Sequence, residues 1–318
     1  MAKRARERQK APRRQPPRQR RSASRSPSRN TATLVWLALV GLVVGGGLLL
    51  MIAIGDDGAR SDGAGALTGG DFHSLVVDPD DPERIFAGGH TVVSVSEDGG
   101  RTWREVPSLR DADAMGWAFM GDAIYVSGHP GLNRSTDRGQ TFRRVNEGLP
   151  HTDVHAFGGD AAVLYGAGPG VGMFASTDVL GAWEVRTDEV GQSFFGRILV
   201  DPNDDEHLLA ADAAAGVAES SDGGRSWRLV DSGLEAATWI SRGGDGMELL
   251  VASGPVGAAA SRDGGTSWEA LELPDGVSLV EAVPGDRELL YAGRHSGDGV
   301  QVYVSRDGGS TWAATTRL

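Results

Sequence analysis

One eight-residue pattern recurs through most of the chain and limits what it can fold into. Ser96-Glu97-Asp98-Gly99-Gly100-Arg101-Thr102-Trp103 returns with the same offsets at Ser135–Phe142, Ser220–Trp227, Ser261–Trp268 and Ser305–Trp312. A degenerate copy runs from Ser176 through Asp178 to Trp183. The closing aromatics are 39, 41, 44, 41 and 44 residues apart. A fixed period of this size means that one supersecondary unit is repeated and that its neighbours bury it.

The chemistry of the pattern is that of a turn. An Asp carboxylate accepts neighbouring backbone N–H groups, and Gly adopts the positive φ that a tight reversal needs. The Trp or Phe then falls on the next strand and packs between units. Asp98, Asp137, Asp178, Asp222, Asp263 and Asp307 are therefore read as structural rather than catalytic. Phe72–Val77, Arg84–Gly89, Thr91–Ser96 and Thr102–Val106 read as short strands around the first copy. Four strands in about 40–45 residues is the signature of a β-propeller blade. The expected fold is all-β, a six-bladed β-propeller over residues 71–318. A solenoid of strands is the alternative, with shorter repeats as a rule. Residues 61–70 could add a strand to the last blade, but their glycines argue against it.

The motif S-x-D-x-G-x-[ST]-[WF] resembles the Asp-box, the bacterial neuraminidase (BNR) repeat of sialidases, sortilin-type receptors, xyloglucanases and a photosystem II assembly factor. Phe72-His73-Ser74-Leu75-Val76-Val77-Asp78-Pro79, followed by Ile85-Phe86-Ala87-Gly88-Gly89-His90, resembles more particularly a group of bacterial proteins called glycosyl hydrolases on the strength of these repeats. The resemblance implies the propeller and leaves the chemistry open.

Charge divides the chain. Residues 1–30 hold 12 basic residues against Glu7, whereas the remainder, with 19 basic and 42 acidic residues, is net −23. So acidic a body repels a phosphate backbone, which argues against nucleic acid as partner. The basic segment has almost no apolar residue and is expected to be a disordered tail. Residues 31–55 carry no charge and are nearly all apolar from Leu34 to Ile54. About 20 such residues cross a bilayer as a helix. With the basic excess on its N-terminal side, the tail is expected in the cytoplasm and the body outside, at the cell membrane of a bacterium. A cleaved signal peptide is the rival reading, but its apolar region is normally about 7–15 residues. Residues 56–70 read as a flexible linker. The absence of Cys excludes disulfides, thiolate metal sites and a Cys nucleophile.

Within the propeller reading, the innermost strand starts and the turns between second and third strands share the face opposite the boxes. His90, His129 and His295 end second strands, and His73 and His155 begin innermost strands, so all five are expected at one mouth. His207 and His151 fall on other connections. A cluster of imidazoles could hold a transition metal, with His73, His90, His129 and His295 as ligands, or recognise an anion once protonated. Each could equally be a turn residue hydrogen-bonded to backbone. Trp117, Arg197 and Trp239 lie near innermost strands, where they either meet a ligand or fill the channel; core is the expected role of the two Trp.

Three functions follow from these residues. The first is a binding or assembly module with a protein or glycan ligand, because the even spacing leaves little room for elaborated loops. The second is a glycoside hydrolase, which needs two carboxylates flanking the bond; Asp71, Asp111, Asp113, Asp153 and Glu281 are placed near the mouth. A sialidase resemblance implies an Arg-Ile-Pro segment and a Tyr–Glu nucleophile pair. The sequence departs from both: Arg84-Ile85-Phe86 is the nearest segment, and Tyr125, Tyr165, Tyr291 and Tyr303 lie in strand-like runs. The third is a metal-binding protein resting on the histidines.

Overall fold

The computed structural model describes residues 65–160, 163–178 and 181–316. The expected tail at 1–30, the expected membrane span at 31–55 and positions 56–64 of the expected linker lie outside the described residues. Among the described residues no helix is long and apolar enough to cross a membrane.

Strand β1 is Ala66–Leu67, and four-stranded antiparallel meanders follow it. The first is β2 (Ser74–Asp78), β3 (Asp81–Gly88), β4 (Val93–Ser96) and β5 (Arg104–Glu105). The second is β6 (Gly116–Met120), β7 (Ala123–Gly128), β8 (Gly131–Ser135) and β9 (Arg143–Arg144). The third is β10 (Ala156–Gly159), β11 (Leu164–Gly168), β12 (Gly172–Ser176) and β13 (Trp183–Thr187). The fourth is β14 (Phe194–Asp201), β15 (Asp204–Asp212), β16 (Gly216–Ser220) and β17 (Arg228–Val230). The fifth is β18 (Trp239–Gly243), β19 (Leu249–Gly254), β20 (Gly257–Ser261) and β21 (Glu269–Ala270). The last is β22 (Leu279–Ala282), β23 (Leu290–Ser296), β24 (Gly299–Ser305) and β25 (Ala313–Ala314).

The first strand of each meander neighbours the first strand of the next, and β22 lies back against β2. These strands therefore surround a common axis. They are covered on both sides, which is why Leu75, Val76 and Val77 form an unbroken apolar run with none of them exposed. The aromatics that close the repeated pattern fold back onto the first strand of their own meander. The Trp227 ring sits 4.8 Å from Phe194, and Phe142 sits 6.4 Å from Trp117.

The repeated turn has one hydrogen-bond scheme. Ser96 Oγ donates to Asp98 Oδ1 (2.8 Å) and accepts from Gly100 N (2.8 Å). Asp98 also accepts from Thr102 N (2.9 Å) and Thr102 Oγ1 (2.7 Å). Asp137, Asp222, Asp263 and Asp307 accept from the Thr or Ser four residues on in the same way. Asp178 keeps the bonds from Ser176 Oγ and Ala182 N but has no hydroxyl at the fourth position. Although partial burial opposes it, the bonds from Thr102 and Ser96 hold the Asp98 carboxyl down at about 2. The Ser226 bonds hold Asp222 at about 2 as well. All six acids are thus spent on their own turns.

One expectation is corrected. Ala66–Leu67, placed in the linker, is a strand: Ala66 pairs with Val300 and Leu67 with Gly299, while β25 pairs with Tyr303 and Val304 of the same strand. The outer edge of the last meander is thus built from both sides of the repeat series. Leu67 O then accepts from Ser94 Oγ at 2.8 Å, tying this edge to the first meander. Glycines on both sides of the pairing are what allow it. A Cβ on Gly299 would lie 2.3 Å from Ala66 O, and one on Gly65 would lie 2.9 Å from Val300 O.

Candidate functional site

Antiparallel alternation puts the start of each first strand, and each turn between second and third strands, at the end opposite the Ser-x-Asp turns. At that end the first three meanders repeat a close approach. The connector carbonyls of Asp71, Asp113 and Asp153 lie against Gly89, Gly128 and Gly168, where a Cβ would come within 2.3, 1.7 and 2.1 Å. Only Gly admits a backbone this near. The glycine before His90 and before His129 is therefore a packing requirement, and it fixes where the three aspartates stand.

His73 is the centre of the group. Its Nδ1 is 2.8 Å from Asp113 Oδ1 and its Nε2 is 3.2 Å from Asp71 Oδ2. His90 Nδ1 is 3.4 Å from the same Asp113 oxygen, and His90 N donates to Asp71 Oδ1 at 2.8 Å. Burial disfavours charge on His73, but the two carboxylates outweigh it and push its pKa up to about 9. His155 Nε2 lies 3.0 Å from Asp153 Oδ1, and that contact holds the Asp153 carboxyl below the usual range, with His129 adding to the effect.

Phe195 joins the two halves. Its ring is 5.6 Å from His73 and 5.8 Å from His155, edge-on to both. It reaches there because β14 is irregular: register with β15 breaks between Phe195 and Ile198, and Gly196 has φ +75°. Such a bulge re-aims side chains. The sequence carried a signal for it, a Gly inside an apolar strand run, Phe194-Phe195-Gly196-Arg197. The Asp-x-His spacing of Asp71/His73 and Asp153/His155 was a second signal that reading the histidines alone passed over.

His73, His90 and His155 are thus brought together around Phe195, and His129 lies near enough to help lower the Asp153 pKa. His295 lies on β23 opposite Val300, with Nε2 buried and without a hydrogen-bond partner. The expected metal set His73, His90, His129 and His295 does not fit a metal. A ligating imidazole must be neutral with a free nitrogen, whereas both nitrogens of His73 face carboxylates. Among the described residues no three His, Asp or Glu side chains are placed to hold an ion. His207 lies apart, between Asp201 (3.1 Å) and Glu219 (2.8 Å).

Other candidates turn inward. Trp117 and Trp239 are fully buried core. Trp117 Nε1 donates to Ser74 Oγ (2.9 Å) and Trp239 Nε1 to Glu281 Oε2 (2.9 Å). Glu281, placed near the mouth by the sequence, is instead mid-strand in β22 and fully buried, paired with Arg197 Nη1 at 2.8 Å. Arg197 is committed to that pair. The Tyr165 and Tyr291 hydroxyls donate to the backbone oxygens of Asp205 and Pro82.

No family model matches the chain. A xyloglucanase of Hypocrea jecorina is 35% identical over 124 residues, which is 36% of this chain and 14% of that enzyme. Among solved structures, the xyloglucanase of Xanthomonas campestris superposes with TM-score 0.54 at 17% identity, over 79% of this chain and 45% of that one. A chain of a nidogen–laminin complex superposes with TM-score 0.55 at 15% identity, over 71% of this chain and 90% of that one. This chain thus spans less than half the length of either xyloglucanase. At these identities the structural likeness establishes the fold, and with the meanders described above the fold is a β-propeller.

Proposed function

We propose that residues 71–318 form a six-bladed Asp-box propeller that binds a hydroxyl-rich glycan at the His–Asp face, acting as a binding module rather than as a catalyst. The observation that carries this reading is the ring of Asp71, Asp113, Asp153, His73, His90 and His155 around the Phe195 edge. Carboxylate acceptors and imidazole donors beside an aromatic ring match sugar hydroxyls and the apolar face of a pyranose. The His90 side chain is 62% exposed and open to a ligand.

The state of the carboxylates favours binding over hydrolysis. A glycosidase needs one carboxyl kept protonated by a raised pKa. The His73 and His155 contacts hold Asp71 and Asp153 below the usual range instead, though burial opposes the shift at Asp71. Glu281 is pushed up by burial, but it has no exposure to substrate. A glycoside hydrolase is the second reading, favoured by the 124-residue similarity to a xyloglucanase. The charge asymmetry supports the rest of the proposal: residues 31–55 anchor the protein at the cell membrane, with the tail inside and the propeller outside.

Titration calorimetry of the full chain with xyloglucan oligosaccharides, beside a reducing-end assay, tests both readings. Binding that His90→Ala abolishes, with no new reducing ends, is the expected result. Release of reducing ends establishes the hydrolase reading. The absence of any heat with every oligosaccharide rejects the glycan ligand.

A further inference from the structure

We propose that the outer edge of the second meander is an oxyanion site, formed by Arg134, Arg143 and Arg144 and suited to a phosphate or sulfate ester. Arg134 of β8 and Arg143 of β9 are direct cross-strand partners. Like charges placed directly opposite one another destabilise a sheet, and a bound anion would relieve that repulsion. The three arginines, with Thr136 and Val145, line a cleft of about 230 Å³.

The surroundings supply no counter-charge. Among the described residues no carboxylate lies within 4 Å of these three side chains, although Arg84, Arg104, Arg110, Arg197, Arg228 and Arg287 all have acidic partners. An unpaired basic triad stands out on a body whose net charge is −23. Arg134 is also fixed in place. Its guanidinium lies 5.7 Å over the buried Tyr125 ring, and its enclosed Nε has no hydrogen-bond partner. Held by its flat face, it is pre-organised to present N–H groups in the fork that matches a tetrahedral oxyanion. Arg143 and Arg144 are exposed and supply the second and third charges, and Thr136, whose hydroxyl can donate, is on the cleft wall. This site is independent of the glycan face, because it lies at the outermost strand pair rather than at the axis.

The test is a thermal-shift and 31P NMR titration of the purified full chain with inorganic phosphate, glucose 6-phosphate and glucose 6-sulfate, with chloride and glucose as controls. Saturable stabilisation by the oxyanions, and line broadening of bound phosphate, are expected. Arg143→Ser with Arg144→Ser should weaken the apparent affinity by about tenfold or more. His90→Ala should leave it unchanged. A preference for one ester separates a phosphate from a sulfate ligand. The same response in the double variant as in the parent, or no difference from chloride at millimolar concentrations, overturns the proposal. Both substitutions are on an exposed two-residue edge strand, so folding is retained, and an unchanged melting temperature without ligand verifies it.

Discussion

Glu281, without solvent exposure, is paired with Arg197 at 2.8 Å across 84 residues of sequence, and Trp239 Nε1 donates to its other oxygen. The pair links the fourth and sixth meanders through the fifth, close to the axis. Removing one partner of a buried pair leaves an uncompensated charge and costs about 3–5 kcal/mol, whereas replacing both with apolar groups is often neutral. Arg197→Met should lower the unfolding free energy by about that amount, and Arg197→Met with Glu281→Met should recover most of it. Urea denaturation of the two variants checks this; equal losses would mean that the pair is not coupled.

His73 should make stability fall in alkali. Its folded pKa, about 9, lies above the ordinary 6.5. The stabilisation by protonated His73 is therefore complete below pH 6.5 and lost as the pH rises through about 9. For this largely buried group it is of order 3 kcal/mol. Melting temperature against pH should decline across that window in the parent and stay flat in His73→Gln.

The Ser-x-Asp turns act at the other end of the scale. Asp98, Asp222, Asp263 and Asp307 have folded pKa values near 2 against 3.8. Their contribution is complete above about pH 4 and lost as the pH falls through about 2. Circular dichroism should show a cooperative acid transition in that range. Asp178 makes fewer bonds, so Asp178→Asn should shift the thermal midpoint less than Asp98→Asn.

Gly128→Ala should disrupt the candidate site without touching any of its side chains. The new Cβ would meet Asp113 O at 1.7 Å, and the φ of Gly128 is otherwise ordinary. The connector must move, and Asp113 with it. We expect a loss of about 2 kcal/mol or more together with weakened ligand binding at the His–Asp face. Gly170→Ala, which has open space around its Cβ but φ +79°, should cost about 1 kcal/mol through backbone strain alone. Parallel melting curves separate the two effects.

Much of the architecture was legible in the sequence for a local reason. The turns are closed by bonds between residues two to four positions apart, so Ser, Asp, Gly and Thr at fixed offsets specify them wherever they occur. The apolar runs between them then have only one place to go, against the next copy. The site was legible in part. Gly-His at strand ends and the aspartates of the connectors could be placed on one face, because a strand's ends are known once its turns are known.

Position along the chain determined the turns, the strand order and which end of the sheets the histidines occupy, because each depends on neighbours within a few residues. Ring closure decided the rest. It made Ala66–Leu67 a strand beside Val300, gave Asp113 to His73 of the preceding unit, brought Phe195 between His73 and His155, and drew Glu281 away from the mouth to Arg197. These contacts join residues from different units, and their partners are set by how the sheets meet around the axis. Identical local patterns would permit other partners, so only the closed tertiary structure selects among them.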